Sequence, residues 1–195
     1  MNETDPPKAE TRDGRVTDKE REENARKARE AADRLFPEHE WIKVEDRIYL
    51  SSNRAIGSKS NYEGELRNAQ ILRDFGSTVY LAPEKRDTPG RKYDAIVNGL
   101  IFEFKNVGGN ANTLVTHFLK SRTQAPNVFM NLENSQLTRH EVRAALYGAR
   151  NSKTHTTAKG NTIKGYDDIN RFDGGRIVLK LKGQKHLVYL DVDNI

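Results

Sequence analysis

Two carboxylates and a lysine, Asp94, Glu103 and Lys105, are the residues of this 195-residue chain whose types and spacing best suit chemistry. They sit in the run Tyr93-Asp94-Ala95-Ile96-Val97-Asn98-Gly99-Leu100-Ile101-Phe102-Glu103-Phe104-Lys105. An Asn-Gly dipeptide between two alternating apolar runs specifies a β-hairpin with a two-residue type I′ turn. With Asn98 and Gly99 at the tip, Val97 faces Leu100, Ile96 faces Ile101, Ala95 faces Phe102 and Asp94 faces Glu103. Tyr93, Ala95, Val97, Leu100, Phe102 and Phe104 then share an apolar face, and Asp94, Ile96, Ile101, Glu103 and Lys105 share the other. Carboxylates facing each other lie roughly 5 Å apart and repel by about 3 kcal/mol at an effective dielectric near 20. Either the Lys105 ammonium or a divalent metal held between the acids offsets that repulsion; the alternative is a solvated sheet face.

The metal reading gives these residues roles. Asp94 and Glu103 supply hard oxygen ligands to Mg²⁺ or Mn²⁺, ions that take one or two carboxylates together with waters and phosphate oxygens. Glu65 joins them or orients a water. The metal polarises a scissile phosphate and activates the attacking water. Lys105, kept charged by two neighbouring carboxylates, holds that water and steadies charge on the phosphate. Gln124 assists positioning; the competing reading makes it a polar residue that ends a helix.

Residues 60–75 position Glu65. Ser60 and Glu63 form a capping box, Tyr62, Leu66, Ala69, Leu72 and Phe75 an apolar stripe, and Gly76 a stop. Glu65 borders the stripe and reaches toward a sheet beneath; otherwise it is a first-turn glutamate meeting the helix dipole. Residues 78–82 form a strand, 83–92 a polar loop, the hairpin follows, then a flexible turn over 107–111, a helix marked by Leu114, Val115, Phe118 and Leu119 through about residue 122, and a strand over 127–132. The order from residue 60 is helix, strand, strand, strand, helix, strand, an α/β fold with a mixed central sheet flanked by helices. A C-terminal extension comprises a helix capped by Thr138 and Glu141 and containing Val142, Leu146 and Tyr147, a long mobile loop over 151–175, and a hairpin around Gly183-Gln184. Ahead of the compact domain (60–195) lie a disordered tail (1–16) and a charged region (17–59). In the latter, a helix capped by Thr17 and Glu20 carries a weakly packing alanine stripe and precedes a short strand or hairpin.

Residues 1–40 hold nine Lys/Arg against twelve Asp/Glu, so the remainder carries a balance of +8, with +7 between residues 139 and 185. The folded part is the basic part, which points to a polyanionic partner such as nucleic acid. Arg139, Arg143, Arg150, Lys153 and Lys159 are its candidate phosphate contacts; the alternative is a solvated basic face. His117, His140 and His155 lack metal-ligand spacing and read as surface histidines. The absence of cysteine excludes disulfides and thiolate zinc sites. Mean hydropathy is -0.85; no run is apolar enough to span a membrane, and the first residues do not form a signal peptide. A cytoplasmic site of action agrees with this.

Glu65 on the first helix, Asp94 on the second strand and Glu103-Phe104-Lys105 on the third resemble the PD-(D/E)XK nuclease superfamily, with Tyr93 in place of the motif's proline. The match covers residues 60–132, whose element order is that superfamily's αβββαβ core. A narrower resemblance joins Gly64-Glu65, Tyr93 to Gly99, Glu103 to Lys105 and Gln124-Ala125-Pro126-Asn127-Val128 to the C-terminal toxin nuclease domains of contact-dependent growth inhibition proteins, and extends to about residue 192. It implies a metal-dependent tRNA nuclease delivered into a target cell and blocked by a cognate immunity protein. Two further readings stay open: a DNA endonuclease using the same site, and a non-catalytic module that binds nucleic acid.

Overall fold

A computed structural model describes residues 10–12, 16–52, 59–83, 93–170 and 172–195, with residues 10–12, 59 and 60 described by backbone alone. The chain divides into two compact units, one of residues 13–104 and one of residues 1–12 with 105–195.

The first strand, β1 (Glu10–Arg12), belongs to the larger-numbered unit, where it pairs antiparallel with residues 187–189. Residues 10–12 therefore depart from the expected disordered tail, because an edge strand offers their backbone groups partners. The rest of residues 1–15 lies outside the described set.

The unit of residues 13–104 opens with α1 (Asp18–Leu35), followed by β2 (Trp41–Glu45), β3 (Ile48–Ser51), α2 (Lys59–Asp74), β4 (Val79–Leu81), β5 (Ala95–Val97) and β6 (Leu100–Asn106). The boundary between the units falls inside β6, after Phe104. These strands follow the order β6-β5-β4-β3-β2, parallel only between β3 and β4. α1 starts as its sequence dictates: Glu20 N–H donates to Thr17 Oγ1 (3.2 Å) and Thr17 N–H to Glu20 Oε2 (2.8 Å). Its alanine stripe corrects the weak-packing expectation. Ala28, Ala31 and Ala32 are buried in one cluster with Phe36, Tyr80, Ala82 and Ile96. Small side chains let the helix approach the sheet closely, so a Cβ on Gly99 would lie 3.0 Å from Lys27 O. Arg26 with Glu23 and Glu30, and Arg29 with Asp33, line the exposed side.

α2 starts at Lys59, which places Ser60 within its first turn instead of at its cap; the Ser60 side chain, residues 53–58 and the loop over 84–92 lie outside the described set. Gly76 stops the helix at φ +88°, with Gly76 N–H donating to Arg73 O (2.8 Å) and Ser77 N–H to Leu72 O (3.0 Å), the two bonds of a Schellman motif.

The other unit continues with α3 (Ala111–Ser121), β7 (Asn127–Leu132), α4 (Arg139–Arg150), β8 (Thr154–Thr156), β9 (Thr162–Lys164), α5 (Tyr166–Ile169), β10 (Arg176–Leu181) and β11 (Leu187–Asp191). Strands β7-β10-β11-β1 form its main sheet, parallel between β7 and β10. Leu114 and Phe118 of α3, Val128 and Met130 of β7, Val142 and Leu146 of α4, and Ile177 and Leu179 of β10 make its core. Tyr147, expected among the apolar residues of α4, is exposed. The region 151–175 is not one long loop: it holds the β8–β9 hairpin and α5, anchored by Gly165 and by Arg122. Gly165 is required by close approach, since a Cβ there would meet Ser152 O at 1.9 Å.

Candidate functional site

The hairpin forms in the register that its sequence dictates. Ala95 pairs with Phe102, Ile96 with Ile101 and Val97 with Leu100, and Asn98 and Gly99 adopt φ +50° and +87°. Both faces are covered here: Ala95, Ile96 and Val97 are buried, and Ile96 packs under the alanines of α1. The strand is therefore central, and the solvated-face alternative does not describe it at Ile96.

The register breaks one residue earlier than its extrapolation. Asp94 N–H donates to Phe102 O (3.0 Å), although Phe102 is already registered with Ala95. Asp94 is thus an extra residue at the strand's start, as in a β-bulge, a device that re-aims side chains. Its carboxylate replaces a strand carbonyl: Phe104 N–H donates to Asp94 Oδ2 at 2.7 Å, a charge-assisted bond that fixes the side chain. Asp94 does not stand squarely across from Glu103. Glu103 is 2% exposed, on a strand whose neighbours Phe102 and Phe104 are buried as well. Glu65 lies in α2, half-buried, and Asn68 and Ala69 beyond it are buried, in agreement with a residue bordering the apolar stripe.

Lys105 and Gln124 lie in the second unit. Lys105 follows Glu103 by two along β6, and its Nζ donates to Gln124 Oε1 at 3.4 Å. Gln124 sits in the turn after α3, where its amide N–H is tied to Ser121 O. His117 of α3 corrects the surface-histidine reading. It is half-buried, and burial first, then the charges of Lys105 and Lys120, push its imidazole below the ordinary histidine value. His155 is likewise pushed down by burial and lies 2.9 Å through Nε2 from Thr116 Oγ1.

The basic residues divide by environment. Arg139, Lys153 and Lys159 are exposed and Arg143 is half-buried. Arg150 directs its guanidinium to the carbonyls of Asp193 and Ile195. Arg122, the residue that caps α3, is not singled out in the sequence; the signal for it is its place four residues after Phe118, in line with the apolar stripe of α3. It is fully buried and donates to Asn170 Oδ1 (3.0 Å), Phe172 O (3.1 Å), Gly174 O (2.7 Å) and Pro126 O.

Among the described residues no group of three or more His, Asp and Glu is gathered to hold a metal. Asp94 and Glu103 are carboxylates, donors of the hard-oxygen class that Mg²⁺ and Mn²⁺ accept. No described helix is long and apolar enough to cross a membrane.

No family model and no curated protein matches the chain. Among solved structures the chain is similar to one from the CdiA-CT/CdiI toxin and immunity complex of Burkholderia pseudomallei, with 17% identity, a TM-score of 0.45, and coverage of 72% of this chain and 97% of that one.

Proposed function

We propose that this chain is a metal-dependent endonuclease that hydrolyses phosphodiester bonds in RNA, with tRNA as its substrate, and that it acts as a toxin restrained by an immunity protein. The observation that carries this reading is Glu103, an ionisable side chain 2% exposed on a central strand, with a backbone-fixed Asp94 on the adjoining strand. Burying a carboxylate is costly, and such groups concentrate where chemistry is done. The sequence pattern of Glu65, Asp94 and Glu103-Phe104-Lys105, and the basic balance of the chain beyond residue 40, support nucleic acid as the substrate.

Asp94 and Glu103 would hold Mg²⁺ or Mn²⁺, with Glu65 orienting a water. When bound, the ion supplies Lewis-acid polarisation of the scissile phosphate and an acidified water. The chain's own residues do the rest. The Phe104 amide keeps the Asp94 carboxylate aimed, so little reorganisation is needed as charge develops. Lys105 donates from its ammonium to a non-bridging phosphate oxygen, exchanging its contact with Gln124 for a charge-assisted one. Gln124 assists positioning by holding the Lys105 ammonium before substrate arrives. Arg139, Arg143, Arg150, Lys153 and Lys159 neutralise backbone phosphates.

The test incubates purified protein with tRNA and, separately, with plasmid DNA, each with Mg²⁺ or EDTA, beside Asp94→Ala. Metal-dependent cutting of tRNA alone, lost in the variant, is expected. Cutting of plasmid in its place moves the substrate to DNA, and cleavage persisting in EDTA or in the variant overturns the reading.

A further inference from the structure

We infer that the β8–β9 hairpin is an RNA-gripping arm whose outer face, Lys164 with the flanking Lys153 and Lys159, binds the phosphate backbone of the substrate. The inference deepens the nuclease reading and rests on it.

The hairpin is built to present one face. Its register pairs Thr154 with Lys164, His155 with Ile163 and Thr156 with Thr162. The central pair turns inward. Ile163 packs against the core of its unit. His155 Nε2 meets Thr116 Oγ1 at 2.9 Å, and because Thr116 gives its own hydroxyl hydrogen to Asn112 O (2.9 Å), His155 is the donor in that contact. Asn112 Nδ2 donates to Thr156 O at 2.7 Å, a second tie to α3. The base is closed by Gly165 N–H donating to Lys153 O (2.8 Å), at the position where any Cβ would collide with Ser152 O. The tip is closed between Thr157 and Asn161, with Gly160 at φ +79°.

With the inner face committed, Thr154, Thr156, Thr162 and Lys164 are exposed, as are Lys153 and Lys159. No Asp or Glu occurs between Glu141 and Asp167, a stretch carrying Arg143, Arg150, Lys153, Lys159 and Lys164. The outer face has no aromatic or large aliphatic residue, and protein interfaces build their centres from aromatic residues, Met and Arg while lysine is depleted. Lysines interleaved with threonine hydroxyls are the donors that contact phosphate oxygens. These features favour a polynucleotide over an acidic protein surface.

The experiment measures binding of the full chain to tRNA in EDTA across a series of salt concentrations. Each phosphate contact contributes roughly 0.7 to 0.9 to the slope of log affinity against log salt. In Lys153→Gln/Lys159→Gln/Lys164→Gln the slope is expected to fall in magnitude by roughly 2 to 3, so that raising salt from about 50 to 200 mM costs the variant roughly 20- to 40-fold less affinity than the wild type. The corresponding triple arginine variant should keep the wild-type slope. A wild type that binds tRNA with a slope unchanged in the glutamine variant overturns the arm alone and leaves these lysines to some other acidic surface. A wild type without salt-dependent tRNA binding overturns both the arm and the nuclease reading.

Discussion

Replacing Arg122 by methionine tests whether one buried cation organises the segment that follows α5. The guanidinium, fully buried, serves three main-chain carbonyls and the Asn170 side chain, and lies 5.9 Å from the Tyr166 ring centroid and 5.7 Å from that of Phe172. Hydrogen bonds to a charged group contribute about 1.5 to 3 kcal/mol each, so four give a gross gain of roughly 6 to 12 kcal/mol. Burial opposes this by several kcal/mol, in keeping with a guanidinium pushed below its ordinary value mainly by desolvation. Removing the guanidinium leaves four neutral acceptors buried and unsatisfied at about 1 to 3 kcal/mol each, partly offset by relief of the charge's own burial, so a net cost of about 3 to 5 kcal/mol is expected. At about 2 to 4 °C per kcal/mol for a chain of this size, Arg122→Met should lower the melting temperature of its unit by roughly 6 to 20 °C. Hydrogen exchange of the Arg176 and Val192 amides, bonded to Asn127 Oδ1 and Gly175 O, reads the same loss locally. Arg122→Lys retains charge but not the planar fork, and should recover less than half. A shift in Arg122→Met below about 1 kcal/mol, with exchange unchanged, would refute the reasoning.

Asp94→Asn and Glu103→Gln should each reduce metal-dependent tRNA cleavage at least about 100-fold, the size of loss for one catalytic electrostatic group, with far-UV dichroism retained; near-full activity in either removes that acid from the site. Gly175→Ala should destabilise its unit strongly, because φ is +111° and a Cβ would lie 2.0 Å from Pro126 O and 2.9 Å from Arg122 Nη1; a melting curve like the wild type's would count against the packing described. His117 and His155 are both held below the ordinary value of 6.5, so below pH about 6.5 the unfolded chain binds more protons than the folded one and stability falls as pH falls. Chemical denaturation at pH 7.5 and 5.5 should show that loss, diminished in His117→Asn.

The parts of this molecule that were legible in its sequence are those whose cause is local. Thr17 with Glu20, Thr138 with Glu141, Gly76 after Phe75 and Asn98-Gly99 each decide a cap, a stop or a turn within a few residues, and each forms as its residues dictate. What was not legible depends on a partner distant in sequence. The alanines of α1 look too small to anchor a helix until Tyr80 and Ile96 supply a flat surface on which small residues are an advantage. Arg122 looks like a surface charge until the carbonyls of Pro126, Phe172 and Gly174 and the Asn170 side chain are brought to it. Asp94 shows the same division at the site itself. The turn fixes register as far as Ala95 and Phe102, and there the influence of the turn stops, because the Asp94 carboxylate can bond an amide as well as a carbonyl can. That competition between side chain and main chain is also what would make Asp94 useful: a strand end that spends a carboxylate on its own backbone holds that carboxylate in one place before any ligand arrives.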